Sequence, residues 1–419
     1  MARFPSSPAF WRSPVRGPRF TSVLGLVLLA GMSVLFVTGL LSYAAYNPDL
    51  SQVNDQTPDK GLLGFYLFAW PTDPHWLYRL TQGVHVTLGL ALVPVLLAKL
   101  WSVVPRLFAL PPVRSLAHAL ERLSLLLLVG GALFEFVTGI LNVQLDYAFP
   151  GSFYPLHLYG AWVFLAAFLA HVVLKLPAAL RNVRALRAGL EEGEEQQAVS
   201  GTLLAPDPDP PTMSRRGAFW LVGGGSAVLF GTSVGRSFDG PLRETAVLSP
   251  HGGPEPGTGP NGFQINKTAA YVGIDPREAA PEAWRLVVTG RSGTVRLSLA
   301  ELRRLPLHSA ALPIACVEGW STADQWWRGV RLRDLAALVG YDGPEDPPDV
   351  LVDSLQRRGA FRRAALRGNQ VGDARSLLAL DVNGEPLSAD HGRPARVIVP
   401  AAPGVLNTKW VTRLDFGAL

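Results

Sequence analysis

The chain is poor in the groups that most folds and many active sites rely on. It has one cysteine and three methionines in 419 residues. One cysteine excludes an intrachain disulfide and any CxxC zinc or iron–sulfur motif. Charge is also scarce, at 17% of the sequence against 48% hydrophobic, and the mean hydropathy is +0.21. That balance excludes a disordered tail protein and is too apolar for an ordinary soluble domain. The 42 glycines and 35 prolines argue against uninterrupted helix throughout. The length predicts two or three domains. Net charge is 38 − 33 = +5. The basic residues sit beside apolar runs and form no continuous face, which speaks for membrane-flanking charge and against a nucleic acid partner.

Long apolar runs are what the first half does have. A spanning helix needs ~20 mostly apolar residues. Four stretches qualify: about Thr21 to Tyr43, Leu77 to Trp101, Ala119 to Asn142 and Pro155 to Pro177. A fifth, shorter and glycine-rich, runs from about Gly217 to Gly235. The expected domain plan is a tail over 1–20, a four-helix transmembrane bundle over 21–187 and a linker over 188–213. The fifth helix follows over 214–235, then an extended linker over 236–260, then a second domain over 261–419. Basic clusters predict the orientation. Arg3, Arg12, Arg16 and Arg19 precede the first span. Lys99, Arg106 and Arg114 lie between the second and third. Lys175, Arg181, Arg184 and Arg187 leave the fourth, and Arg215 and Arg216 enter the fifth. The alternate connections carry Asp49, Asp55, Asp59, Asp73 and Asp146 instead. Five spans then put the N-terminus in the cytoplasm and the C-terminal domain outside a cell membrane. Ser214-Arg215-Arg216-Gly217-Ala218-Phe219 resembles a twin-arginine export signal, with its Phe one position late. Plain topology charge is the other reading of those arginines.

An ionisable residue inside a span is a functional candidate. His157 and His171 lie 14 positions apart on the fourth span. At ~100° and ~1.5 Å per residue they share a face about 21 Å apart. That spacing suits two b-type haems stacked across a bilayer. His85, on the second span with Gly83 and Gly89 nearby, pairs with His157 as one pair of axial ligands. His171 has only His118 as a candidate partner, because the first span holds no histidine. Neutral histidines bonded to backbone carbonyls are the alternative. Glu135, in mid-span, reads as a glutamate bonded within the bundle or as a proton relay or quinone contact. His75 and Trp76 read as part of an interfacial aromatic belt. The pattern of four spans with His85, His157 and His171 resembles the cytochrome b subunits of formate dehydrogenases and related di-haem transmembrane cytochromes. The resemblance implies haem b, one or two per chain, and exchange with the quinone pool.

From about Asn261 the texture changes to short β-rich runs broken by turn signals: Trp284–Gly290, Pro347–Asp353 and Arg396–Pro400. Helices are expected over Leu299–Arg304 and Leu332–Val339. This is a mixed α+β domain. The cysteine is Cys316, in Cys316-Val317-Glu318-Gly319-Trp320-Ser321. A lone cysteine is a buried small hydrophobe or a soft metal ligand. Its companions are Asn266-Lys267-Thr268-Ala269-Ala270, Asp353-Ser354-Leu355-Gln356, Asp390-His391-Gly392-Arg393-Pro394-Ala395-Arg396 and Asn407-Thr408-Lys409-Trp410. In this order the motifs resemble the sulfite oxidase family of molybdenum enzymes, and within it the periplasmic methionine sulfoxide reductase catalytic subunits. The resemblance implies an α+β molybdopterin domain with Cys316 as the protein ligand of molybdenum. It further implies cofactor contacts from Asn266, Ser354, His391, Arg396, Asn407, Thr408 and Lys409. His391 stands where relatives carry Asn. No arginine follows Cys316 as in sulfite oxidases, so Trp320, Trp326, Trp327 and Arg328 are candidates for the substrate wall, or else core. Arg357, Arg358, Arg362 and Arg363 could draw an anion or solvate a face.

The expected function is oxygen-atom transfer on a small S-oxide or similar substrate at an outward-facing molybdenum centre, with electrons exchanged with quinone through haem. Two alternatives stay open: a haem-free anchored molybdenum enzyme served by another carrier, and a non-catalytic electron-transfer or binding module.

Overall fold

The computed structural model describes residues 5, 10–50, 53, 68–108, 115–143, 153–187, 209–238, 241–248, 260–343, 347–359 and 362–419. The acidic part of the expected 188–213 linker and the stretch around His251 lie outside them, as do Asp55, Asp59, Arg114 and Asp146.

Five long helices come first: α1 (Pro18–Ala45), α2 (Leu77–Leu107), α3 (Leu116–Val143), α4 (Phe153–Arg187) and α5 (Arg215–Gly231). All five are long and apolar enough to cross a membrane. The helices run past most of the expected ends, because hydropathy sees only the apolar part of a helix that polar residues continue. Thus α4 passes through Pro177 to Arg187. Ser214 caps α5 by accepting the Gly217 amide at 3.0 Å, so Arg215 and Arg216 open its first turn. α1 packs along α2, α3 along α4, and α5 along α2. Glycines allow close approach. A Cβ on Gly31 would lie 2.4 Å from the Leu92 side chain.

The chain after α5 departs from the extended linker expected there. It turns twice into 3-10 helix, at Val234–Arg236 and Pro241–Arg243. Arg236 and Ser237 are buried. The reason is pairing: the Arg236 carbonyl accepts the Ser321 amide at 2.8 Å, and Ser321 Oγ donates to the Ser237 carbonyl at 2.9 Å.

Among its described residues the C-terminal domain has two sheets. One takes β1 (Arg285–Gly290), β2 (Gly293–Ser298), β5 (Val350–Ser354), β6 (Arg363–Leu366) and β10 (Val411–Phe416), ordered β2-β1-β10-β5-β6. The other orders β3 (His308–Leu312), β4 (Gln325–Arg331), β7 (Leu377–Val382) and β8 (Glu385–Pro386), with β9 (Arg396–Ile398) also on β7. Among the described strands, only β1 and β10 pair in parallel. Short helices α6 (Leu299–Leu302), α7 (Leu332–Ala337) and α8 (Gly368–Gly372) connect them. The sheets sandwich one core containing Val288, Val352 and Leu414 from the first, and Val330, Leu378 and Leu380 from the second. β7 is apolar on both faces. Leu377 and Ala379 point the other way, into a smaller cluster that also holds Cys316. The second sheet therefore divides the structural core from the site.

Gly329 sits at a register shift between β4 and β7. A Cβ there would lie 2.0 Å from the Leu378 carbonyl oxygen. Gly329→Ala is expected to destabilise the domain by at least about 2 kcal/mol through forced separation of the strands. Thermal unfolding followed by tryptophan fluorescence measures it.

Candidate functional site

Cys316 sits in a tight turn on the outer face of the second sheet. The Gly319 amide donates to the Cys316 carbonyl at 3.0 Å, and the Cys316 amide donates to the Trp320 carbonyl at 2.9 Å. Gly319 closes the turn at φ +82°, a conformation that favours glycine. Ile314 and Thr322 clamp the base: Ile314 N donates to Thr322 Oγ1 and Thr322 N to the Ile314 carbonyl, both at 2.9 Å.

A cavity opens beside the thiol. Its lining includes Asn266, Lys267, Cys316, His391, Arg396 and Lys409, with Asn407, Thr408 and Trp320. The Arg396 guanidinium is buried and donates to the carbonyls of His391 (3.2 Å) and Asn407 (3.0 Å). Burial lowers its pKa to about 9. Lys409 Nζ donates to the carbonyls of Lys267 (2.9 Å) and Asp390 (2.8 Å). Burial, with the nearby Arg396 cation, lowers its pKa to about 7. The Cys316 thiol is pushed well up, first by burial and then by the Glu318 carboxylate. Two cations and a thiol thus share a pocket that disfavours their charged forms. Asn266 Nδ2 lies 3.8 Å from the thiol sulfur. His391 stacks on Phe263, ring centroids 3.8 Å apart. Four buried polar atoms in the lining make no hydrogen bond: Asn266 Oδ1, Arg396 Nε, Asn407 Nδ2 and Thr408 Oγ1.

Seven of the eight residues expected around this cofactor line the cavity. Ser354 does not. Its hydroxyl donates to the Lys409 carbonyl at 2.7 Å, so it holds the Lys409 backbone. Of the tryptophan candidates, Trp320 lines the cavity and Trp327 is sealed in the core. Trp326 is exposed. Arg357 pairs with Glu278 (2.7 Å) and Arg363 with Asp353 (2.9 Å) on the surface.

The oxidoreductase molybdopterin binding domain family matches residues 273–418. Mitochondrial sulfite oxidase of Rattus norvegicus is 32% identical over 159 residues, which is 32% of this chain and 29% of that protein. The uncharacterized oxidoreductase YuiH of Bacillus subtilis is 31% identical over 134 residues, 32% of this chain and 65% of that protein. The C-terminal domain is a sulfite oxidase-family molybdopterin oxidoreductase domain. This chain therefore spans less than a third of the rat sulfite oxidase it matches. Among solved structures, the sulfane dehydrogenase SoxCD from Paracoccus pantotrophus aligns at TM-score 0.29 and 23% identity, over 33% of this chain and 39% of that one. The lining fits the family's cofactor. A soft sulfur stands ready for the metal, cations for the phosphate, and unpaired donors and acceptors for the pterin heterocycle.

The bundle holds a second cavity, with about 1340 Å³ of empty space including its open mouth. His85 and His157 both line it, their ring centroids 6.3 Å apart. The Nδ1 of His85 is held by the Leu35 carbonyl and Thr38 Oγ1, each at 3.0 Å. The Nδ1 of His157 is held by Thr138 Oγ1 at 3.0 Å and Glu135 Oε2 at 3.1 Å. Both threonines also donate to carbonyls one turn back, Val34 and Phe134. The signal for these threonines is in the sequence but was not among the expected site residues. Phe36-Val37-Thr38-Gly39 recurs as Phe136-Val137-Thr138-Gly139, 138 − 38 = 100 positions on. Glu135 bonds His157 within the bundle. His171 does not line this cavity. His75, expected in an aromatic belt, instead contacts Asp324 of the C-terminal domain at 3.2 Å. Arg236 was also missed; its buried guanidinium makes no hydrogen bond.

Arg396→Met is expected to leave the cofactor-free protein as stable or more stable, by up to about 3 kcal/mol, because an unneutralised buried cation is removed. The same change should sharply lower molybdopterin retention. Thermal melts of cofactor-free protein, set beside metal content of cofactor-loaded protein, read the two effects separately.

Proposed function

We propose that the chain is a membrane-anchored molybdopterin-dependent oxidoreductase. It transfers an oxygen atom to or from a small substrate at an outward-facing site, and it exchanges electrons with the quinone pool through haem b in the bundle. The observation that carries this is the convergence of the lone thiol, two buried cations and four unpaired polar atoms on one cavity of a sulfite oxidase-family domain. The cofactor supplies the two-electron redox chemistry. Cys316 holds the metal. Lys267, Arg396 and Lys409 meet the phosphate, while Asn266, His391, Asn407 and Thr408 bond the heterocycle. Ser354 fixes Lys409 from behind. Trp320, held by Glu318 at 2.7 Å, walls the substrate side and excludes water. A sulfoxide or other S-oxide is the favoured class, because no arginine cluster follows Cys316 to bind a sulfur oxyanion.

The haem reading rests on the histidine pair. His85 and His157 face one cavity from two helices with ring centroids 6.3 Å apart, and would hold the iron of one haem between them. With Nδ1 of each ring engaged, Nε2 is left to bind iron, and the hydrogen bond behind it fixes the ring. Glycine stands beside both rings: a Cβ on Gly39 would lie 3.2 Å from His85 Cε1, and one on Gly139 3.8 Å from His157 Cε1. This geometry supports one haem. The five helices anchor the chain with its N-terminus inside and its catalytic domain outside, in keeping with the basic clusters.

Cys316→Ser is expected to abolish dye-coupled reduction of methionine sulfoxide, or oxidation of sulfite, and to remove molybdenum detected by mass spectrometry. Molybdenum retained together with unchanged turnover would sink the assignment. His85→Ala and His157→Ala should each abolish the reduced haem α-band and leave dye-coupled turnover at the outer site intact. A wild-type protein with molybdenum but no α-band would favour a haem-free anchor.

A further inference from the structure

The loop that presents Cys316 is also the lid of the bundle cavity. Cys316 lines the outer cavity, and Val317, the next residue, lines the bundle cavity with His85 and His157. One peptide unit separates the two sites. Gln82 fixes it there. Its Nε2 donates to the Val317 carbonyl at 2.6 Å, and its Oε1 accepts from Ser42 of α1 at 2.8 Å. Gln82 is buried and precedes His85 by three residues, one helical turn on the same face. Val86, next to His85, presses on the turn of the loop: a Cβ on Gly319 would lie 2.6 Å from Val86 Cγ1. Ser237 Oγ donates to the Gly319 carbonyl, and Arg243 donates to the Ser321 carbonyl at 2.7 Å. Every residue from Ala315 to Ser321 except Val317 is buried. Val317 packs in an apolar cluster with Tyr46, Tyr78 and Trp70 of the bundle end.

We infer that the Cys316–Val317 unit, locked onto α2 by Gln82, is the electron bridge between the two redox sites, so that transfer is intramolecular. Gln82 is a positioning residue in this scheme. The inference rests on the function proposed above. In the reductive direction one sulfoxide, two electrons and two protons give one thioether and one water. A quinol supplies both electrons and both protons and leaves as quinone. The sulfur–oxygen bond breaks at the outer site, and its oxygen leaves as that water. With haem held by His85 and His157, the Cys316–Val317 unit would pass the electrons one at a time.

The test uses the full-length protein loaded with both cofactors, without oxygen. Haem reduced by dithionite is mixed with methionine sulfoxide, and haem oxidised by ferricyanide is mixed with sulfite, while the α-band is followed by stopped flow. With the compound that turns over with dyes, the band should change in a first-order process whose rate is independent of protein concentration. Gln82→Leu should slow it by about tenfold, the effect of one lost buried hydrogen bond on a barrier, at unchanged haem content. Its dye-coupled turnover is measured on the same sample, and the ratio of the band rate to that turnover should fall about tenfold. A band that does not respond despite dye-coupled turnover overturns the inference alone, as does a rate that scales with protein concentration. A wild-type rate in Gln82→Leu also overturns it. A protein with no haem, or with no dye-coupled turnover of either compound, overturns the proposed function and the inference together.

Discussion

A thiol and two cationic side chains are buried side by side, and no acidic side chain stands among the described residues that line their pocket, an arrangement suited to an anionic ligand. Each unpaired buried polar group costs about 1–3 kcal/mol, and a buried charge more. The fold carries that cost by separating tasks between the faces of one sheet. The apolar sandwich core lies on one side of β4, β7 and β9, and the thiol pocket lies on the other. Several residues with positive φ lie at the same place, Ala401 and Trp410 among the non-glycines. Gly319 (φ +82°), Gly392 (φ +110°), Ala401 (φ +55°) and Trp410 (φ +52°) all lie in the segments that shape or border the pocket. Such outliers persist only where surrounding packing over-determines them, and here β9 and β10 supply it, from Arg396–Ile398 and Val411–Phe416.

The bundle solves a related problem by repetition. Two helix pairs, α1 with α2 and α3 with α4, each set a threonine behind a histidine and a glycine beside its ring. The small residues bring backbones close, and the hydroxyls hold the rings. The halves differ at one point. Leu35 occupies the place of Glu135, so His85 leans on a backbone carbonyl and His157 on a carboxylate. A carboxylate behind a ligating imidazole raises its basicity, so the two histidines would donate unequally to one metal. Gly160 makes room for this, since a Cβ there would meet Glu135 Oε1 and the Phe134 ring.

The two halves meet through more than one loop. Trp70 Nε1 donates to the Ala401 carbonyl at 2.7 Å, and Asn47 Nδ2 to Gln370 Oε1 at 2.8 Å, both buried. Arg375 pairs with Asp73 at 2.8 Å at the rim. Surface pairs such as this contribute little. The buried bonds set the orientation, and they do so at the ends of α1 and α2 nearest the histidine cavity.

The sequence alone determined the five apolar helices, the β-rich domain after Asn261 and the set of polar motifs that accompany Cys316. Hydropathy and motif order are local properties, and one-dimensional reading suffices for them. The resemblance of those motifs to the sulfite oxidase family also named most of the pocket lining. Tertiary structure alone decided what lies beside what. Ser354 turned its hydroxyl to a backbone carbonyl 55 positions away in sequence, and His75 found Asp324 rather than a lipid interface. The segment after α5 folded back instead of extending, because its carbonyls at Arg236 and Ser237 accept from the amide and hydroxyl of Ser321 in the Cys316 loop. The placement of Val317 over the bundle cavity has no sequence signal at all. It depends on a hydrogen bond between residues 235 positions apart, and only packing brings such pairs together.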